Sequence, residues 1–287
     1  MGVTETESAD RATGAPELQV VASTGSTNDD VMELGRGSAP HGACVAAHEQ
    51  TAGRGRRGHG WGSPSTGLYL SVLLRPDVPM SHYMGISAVC GMGVLDALHS
   101  LGATRAALKW PNDVVVPAAD GSSPDRKLAG ILVEAGTGDS GMFAVCGIGV
   151  NLERPVLEGD MGSVNPLAPA AIADAMAEGA VAPGFDELAQ AIRDAVVARA
   201  DAWAAAVNSG HAVAGPLAPV LSEYFDALPL MGARVDVVYP NGNIAATGDF
   251  VAVDVWGRAT VRLEDGREVV VSSEQASLRR AAKYAPA

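Results

Sequence analysis

Apolar positions along this chain follow two periods. Leu18–Ala22, Gly42–His48, Ala106–Trp110, Val114–Val116, Leu128–Glu134 and Met142–Val150 are short apolar runs bounded by turn formers, and each predicts a strand. Leu68–Leu74 (LYLSVLL) has so little polar interruption that it predicts a strand buried on both faces. Ile86, Val89, Cys90, Val94, Ala97 and Leu98 recur at helical spacing, so Ser81 to Leu101 predicts an amphipathic helix. Ala168–Ala177, Phe185–Asn208 and Ala214–Phe225 predict three more helices. A shorter one starts after Ser23–Asn28, with Asp29 and Asp30 in its first turn and Gly35 and Gly37 at its end. From about Leu230 the period changes. Arg234–Tyr239, Ala245–Val253, Ala259–Leu263 and Glu268–Ser272 predict short strands split by Asn241-Gly242, Asp254–Gly257 and Asp265-Gly266. The expected division is a flexible tail (1–16), an α/β region (17–229) and a small all-β module (230–287).

Composition narrows the function. With 20 Lys and Arg against 33 Asp and Glu, the net charge is −13, which disfavours a nucleic-acid backbone as the main partner. Only three of the basic residues are lysines: Lys109, Lys127 and Lys283. The three cysteines are scattered through apolar stretches and predict buried free thiols in a reducing compartment. No secretory signal or membrane span is visible: the long charge-free stretch Val78 to Leu95 contains Pro79 and reads as a buried helix. A cytoplasmic location is expected. P-loop, nucleophile-elbow and HExxH signatures are absent.

Five segments carry candidate chemistry. Glu49 to Trp61 (EQTAGRGRRGHGW) contains a formal GxGxxG, but the following GHGWGSPSTG forbids the helix that a dinucleotide site needs. Its glycines and arginines read instead as a mobile loop that meets a small anion, against the alternative of a solvated turn. Trp61 reads either as core packing or as a stacking surface for a flat heterocycle. In Leu108 to Val114 (LKWPNDV), Lys109 and Trp110 could support a strand end or face a ligand. Lys127 to Glu134 (KLAGILVE) puts an ammonium at a strand mouth, and Gly130 leaves room for a flat ligand or a second backbone. Cys146 to Leu152 (CGIGVNL) clears one face at Gly147 and Gly149 and ends on Asn151, a turn former or a hydrogen-bonding partner for an adenine edge or amide. Ser23 to Asn28 (STGSTN) can cap a helix and bind neutral polar groups. The histidines read as structural or surface residues, with His59 adding charge to the basic loop at low pH.

In this order, GSTN, EQTAGRGRRGHGW, KWPNDV, KLAGILVE and GIGVNL resemble the motif series of the biotin protein ligase family across Ser23 to Leu152. The resemblance implies a mixed-sheet catalytic domain, like that of class II aminoacyl-tRNA synthetases, with a small C-terminal SH3-like β-barrel. It implies an ATP-dependent ligase that converts biotin to biotinyl-5′-AMP and transfers biotin to one lysine of a biotin carboxyl carrier domain. Biotin and ATP are then substrates, and Mg²⁺ is expected. By resemblance, Ser26, Thr27 and Asn28 would contact biotin, with Gln50 at its ureido ring. Arg54, Gly55 and Arg56 would close over biotin and phosphate, and Lys127 would stabilise charge in both steps. Gly130 and Leu132 would border biotin. Trp61 would stack on adenine, Asn151 would bond its edge, Asn112 would lie near the phosphates, and Asp113 would help place a metal. Too few residues precede the first strand for a DNA-binding domain, so no DNA partner is expected; dimerisation is open. Departures are His59-Gly60, a long linker at Pro117–Arg126, and a motif-free stretch from Pro166 to Phe225. The competing readings are a lipoate or octanoate ligase, which should carry a triple-glycine motif not found here, and a non-catalytic biotinyl-adenylate-binding regulator.

Overall fold

The computed structural model describes residues 16–58, 60–118, 125–155 and 167–281. The expected tail up to residue 15, His59 and most of the Pro117–Arg126 linker lie outside these residues.

The first half of the chain forms a seven-stranded mixed sheet. Its strands are β1 (Leu18–Thr24), β2 (Cys44–Gln50), β3 (Gly67–Leu74), β4 (Ala107–Lys109), β5 (Asp113–Val116), β6 (Arg126–Gly138) and β7 (Gly141–Asn151). They lie in the order β1-β2-β3-β7-β6-β5-β4. Only the β1–β2 pair is parallel, joined through helix α1 (Thr27–Arg36). The apolar run predicted at Leu68–Leu74 is β3, buried at every position in the middle of the sheet. It can be apolar throughout because both of its faces are covered. Helices α2 (Ile86–Ser100) and α4 (Phe185–Asn208) pack against each other over one face. On the opposite face α1 closes a smaller core of Val31, Val45, Leu73, Phe143 and Val145.

The C-terminal region is a five-stranded antiparallel sheet. It comprises β8 (Arg234–Val238), β9 (Ile244–Val253), β10 (Ala259–Arg262), β11 (Glu268–Val271) and β12 (Ser277–Arg280), ordered β11-β10-β9-β8-β12. Its buried Val235, Val237, Phe250 and Val261 belong to the same continuous core as α2 and α4, joined through Leu217, Tyr224, Leu228 and Leu230. Trp110 Nε1 donates to the Gly257 carbonyl at 2.9 Å across the same seam.

Three elements depart from the sequence expectation. The helix expected over Ala168–Ala177 shrinks to α3 (Ile172–Ala175), because residues 168–170 run beside β6. There Lys127 N donates to Ala168 O, and Ala170 N donates to Lys127 O. The helix expected from Ala214 begins only at α5 (Leu221–Asp226), since Pro216 and Pro219 lack the N–H that a helix interior needs. Strand β12 was not expected. Its four residues include two arginines, and only Leu278 is fully buried. No described helix is long and apolar enough to cross a membrane.

Candidate functional site

The β6–β7 strand pair, the start of α1, the basic loop and the C-terminal sheet enclose a cavity of about 570 Å³. All fourteen site residues expected from the sequence line it: Ser26, Thr27, Asn28, Gln50, Arg54, Gly55, Arg56, Trp61, Asn112, Asp113, Lys127, Gly130, Leu132 and Asn151. They come from distant parts of the chain because α1, β2, β6 and β7 all open toward the same end of the sheet.

One wall is polar and buried. Ser26, Thr27 and Asn28 begin α1 and are nearly inaccessible. Ser26 holds the extended N-cap backbone, but its hydroxyl makes no capping bond. Thr27 donates from its backbone N and its Oγ1 to Gln50 Oε1, at 2.9 and 3.1 Å. Ser71 Oγ lies 2.8 Å from Thr27 Oγ1 and 2.6 Å from Asn28 Oδ1. Asn28 Nδ2 donates to Glu134 Oε2 at 2.7 Å. Thr27, Asn28 and Gln50 are each held by a second group, so this part of the wall is preorganised. Ser71 was missed because it sits inside the apolar LYLSVLL run, where only its full burial as a hydroxyl gives a signal.

Gly130 on β6 and Gly147 and Gly149 on β7 do not leave bare space. A Cβ at Gly147 would fall 2.0 Å from Asn28 Oδ1. A Cβ at Gly149 or Gly130 would fall 2.7 or 2.8 Å from the Trp61 indole. The clear faces read from the sequence are therefore filled by Asn28 and Trp61. Trp61 Nε1 is buried and has no partner among the described residues.

Cations gather at the same cavity. Arg54 pairs with Asp29 at 2.6 Å and Glu134 at 3.0 Å, and the Asp29 bond raises its guanidinium pKa further. Arg56 donates to Asn112 Oδ1 at 2.9 Å and to the Ser273 carbonyl. Arg57 donates to the Ser273 and Ala276 carbonyls at 2.5 and 3.1 Å. The loop expected to be mobile is thus tied to the β11–β12 turn of the C-terminal sheet. Lys127 Nζ lies 2.6 Å from Asp113 Oδ1 and 4.7 Å from the centroid of the Trp61 ring, a cation–π contact. Lys109 Nζ lies 3.4 Å from Asp113 Oδ2. Burial pushes the Lys109 ammonium pKa down, with Asp113 opposing. Burial also pushes the Asp113 carboxyl up, but Lys127 and Lys109 outweigh it and hold it below the usual carboxylate range.

Asn112 Nδ2 donates to Ile131 O at 2.8 Å, and Asn151 Nδ2 donates to Lys127 O at 3.2 Å. Both amides therefore brace β6. Val238, Tyr239, Pro240 and Ser277–Arg279 also line the cavity, and no sequence motif points to them. The expected metal-placing role of Asp113 meets an obstacle, because both of its oxygens are engaged by ammonium groups. No group of three His, Cys, Asp or Glu among the described residues could hold a metal ion. This donor set does not fit a protein-held Mg²⁺, which needs at least one free carboxylate.

Comparison with known proteins adds four findings. The model of the biotin/lipoate A/B protein ligase family matches residues 20–151. The biotin–[acetyl-CoA-carboxylase] ligase of Mycobacterium tuberculosis is 33% identical over 267 residues, covering 91% of this chain and 88% of its own. The enzyme of the same name from Paracoccus denitrificans is 30% identical over 258 residues, covering 89% and 98%. Among solved structures, the biotin protein ligase from Aquifex aeolicus in complex with biotin and ATP has a TM-score of 0.68 at 22% identity, covering 92% of this chain and 99% of that one.

Proposed function

Because this chain belongs to the biotin protein ligase family and is a ligase, we propose that it uses ATP to activate biotin and passes it to a lysine of a biotin carboxyl carrier domain. The observation that carries this reading is the meeting of Arg54, Arg56 and Lys127 with the buried Ser26, Thr27 and Asn28 and with Gln50 in one cavity. The Aquifex relative was solved with biotin and ATP, which supports the same pair of substrates here.

In the first step a biotin carboxylate oxygen attacks the α-phosphorus of ATP. The bond from α-phosphorus to the bridging oxygen breaks, and pyrophosphate leaves with that electron pair. Both reactants are anions, so the step needs fixed positive charge where they meet. Lys127, at the mouth of β6, is assigned to the carboxylate and α-phosphate, and Arg54 and Arg56 to the phosphates and the adenylate formed. Thr27, Asn28 and Gln50 suit the neutral donor-and-acceptor edge of the ureido ring. Gly130 and Leu132 border the biotin chain. Trp61 is assigned to adenine stacking, with Asn112 and Asn151 bracing the strand beneath. In the second step the carrier amine attacks the acyl carbon, AMP leaves, and the amine gives up a proton. No protein nucleophile is needed. Water must be excluded from the mixed anhydride, which is the work assigned to the Gly-rich loop. Magnesium enters this scheme only as the counter-ion of the nucleotide.

The test is the intact mass of a biotin carrier domain incubated with the protein, biotin and MgATP, with lipoic acid in a parallel arm. A biotin-sized gain that needs all three components is the expected result. A gain with lipoic acid alone would replace this reading with the lipoyl one. Absence of any gain together with absence of pyrophosphate release would indicate a binding protein.

A further inference from the structure

Two of the three lysines in the chain meet at one carboxylate, although the other 17 basic residues are arginines. Lys109 on β4 stands directly opposite Asp113 on β5 in the antiparallel register. Its ammonium reaches Asp113 Oδ2, and Lys127 takes Oδ1. Lys109 is only 6% exposed, yet it lines the cavity. Asp113 is its one ion-pair partner among the described residues. Burying an ammonium is costly, so a lysine in this place calls for a reason that an apolar residue would not satisfy.

The reason lies in the charge count. A carboxylate 2.6 Å from Lys127 holds that side chain in place but cancels its charge toward any third group. A second ammonium on the other oxygen restores one net positive charge while Asp113 keeps its grip. We propose that Lys109 is a positioning residue for this site: it shares Asp113 so that Lys127 stays fixed and still presents uncancelled charge to the anionic groups of the substrates. The inference rests on the ligase reading for the identity of those anions, and on the geometry alone for the charge arrangement.

The experiment is a titration of the full chain with inorganic pyrophosphate by calorimetry at fixed ionic strength, using four forms. Lys109→Met removes the net charge and should weaken binding about tenfold or more. Lys109→Met combined with Asp113→Asn restores the count of one, and should recover most of the lost affinity. A structural role for Lys109 would leave the double variant no better than the single one, and that result would overturn the proposal. So would unchanged binding by Lys109→Met. Thermal melts check that each form folds. If Lys109→Met does not, Asp113→Asn alone decides: binding at least as tight as the parent supports the charge argument, and weaker binding overturns it. Biotin-dependent pyrophosphate release by the parent chain is measured alongside. Its absence would sink the ligase reading, while the pyrophosphate series would still judge the role of Lys109.

Discussion

Lys127 is gripped from two directions, by Asp113 below and by the Trp61 ring beside it. A flexible four-carbon side chain held this way loses little further freedom when a ligand arrives. Lys127→Ala should therefore fold normally and lower the rate of adenylate formation by about 10²-fold or more; a rate within threefold of the parent, about 0.7 kcal/mol, would remove Lys127 from the chemistry. Ser71 acts one layer back. Ser71→Ala strips the buried Thr27 and Asn28 side chains of a partner, which should cost about 1–2 kcal/mol of stability and raise KM for biotin more than it lowers kcat. Chemical denaturation and steady-state kinetics check the two halves. Asp113 sets an acid-side dependence. Its carboxyl is held below the ordinary value in the folded protein by Lys127 and Lys109, against the opposing push of burial. Its ionised form therefore stabilises the fold fully above the unfolded value near 3.9, and that contribution disappears as pH falls through the lower folded value. Melting temperature measured from about pH 5 downward should drop less steeply for Asp113→Asn than for the parent.

Among the elements, the basic loop is the one whose structure most changes its reading. From sequence it is a Gly-rich, Arg-rich segment with nothing to hold it. In the structure Arg57 adopts φ 59, the only positive value at a non-glycine residue among those described. A side chain there costs about 1 kcal/mol, and the two carbonyl bonds to Ser273 and Ala276 offset it. Arg57→Gly removes the strain and two of the three bonds to the turn, leaving that of Arg56 to Ser273. Amide hydrogen exchange should then rise both in residues 53–61 and in the 272–276 turn. A rise confined to the first segment would show that the tie does not hold the turn. The same loop marks how far the sequence could be read. β3 and α4 were legible because one face or both meet a core, and burial imposes a period on the chain. The cavity residues were legible because they fall in five segments that together resemble one family's motif series, with glycines and basic residues marking two of them. Ser71 was not, since it is a single polar residue whose meaning comes from what lies across the sheet; Lys109 stood out, but its role stayed open between strand-end support and ligand contact until Asp113 was seen opposite it. Residues 168–170 looked helical by composition and became the neighbour of β6 because a tertiary partner outweighed propensity.

At the scale of the whole molecule, the change of character near Leu230 suggests two folding units, whereas the packing argues for one. The apolar side chains of the C-terminal sheet run without a break into those of α2, α4 and α5. The seam carries directed bonds as well: Leu217 N donates to Val255 O at 2.9 Å, Trp110 Nε1 to Gly257 O, and Arg280 reaches Asp125 at 3.4 Å. The cavity itself needs both parts, since Arg279 and Tyr239 line it with Lys127 and Arg54. Separating the sheet would expose Leu217, Tyr224, Leu228 and Leu230, each at most 3% accessible now. That apolar loss is larger than a small β module can recover alone, because domains of this size bury too little surface to be stable with one face stripped. We therefore propose that residues 17–229 and 230–287 are regions of one cooperative unit. Scanning calorimetry should show a single transition, with calorimetric and van't Hoff enthalpies in agreement. Two resolved transitions, the smaller accounting for the C-terminal sheet, would mean that the shared core does not couple them. The arginine ties between loop and sheet would then join two independently folding domains.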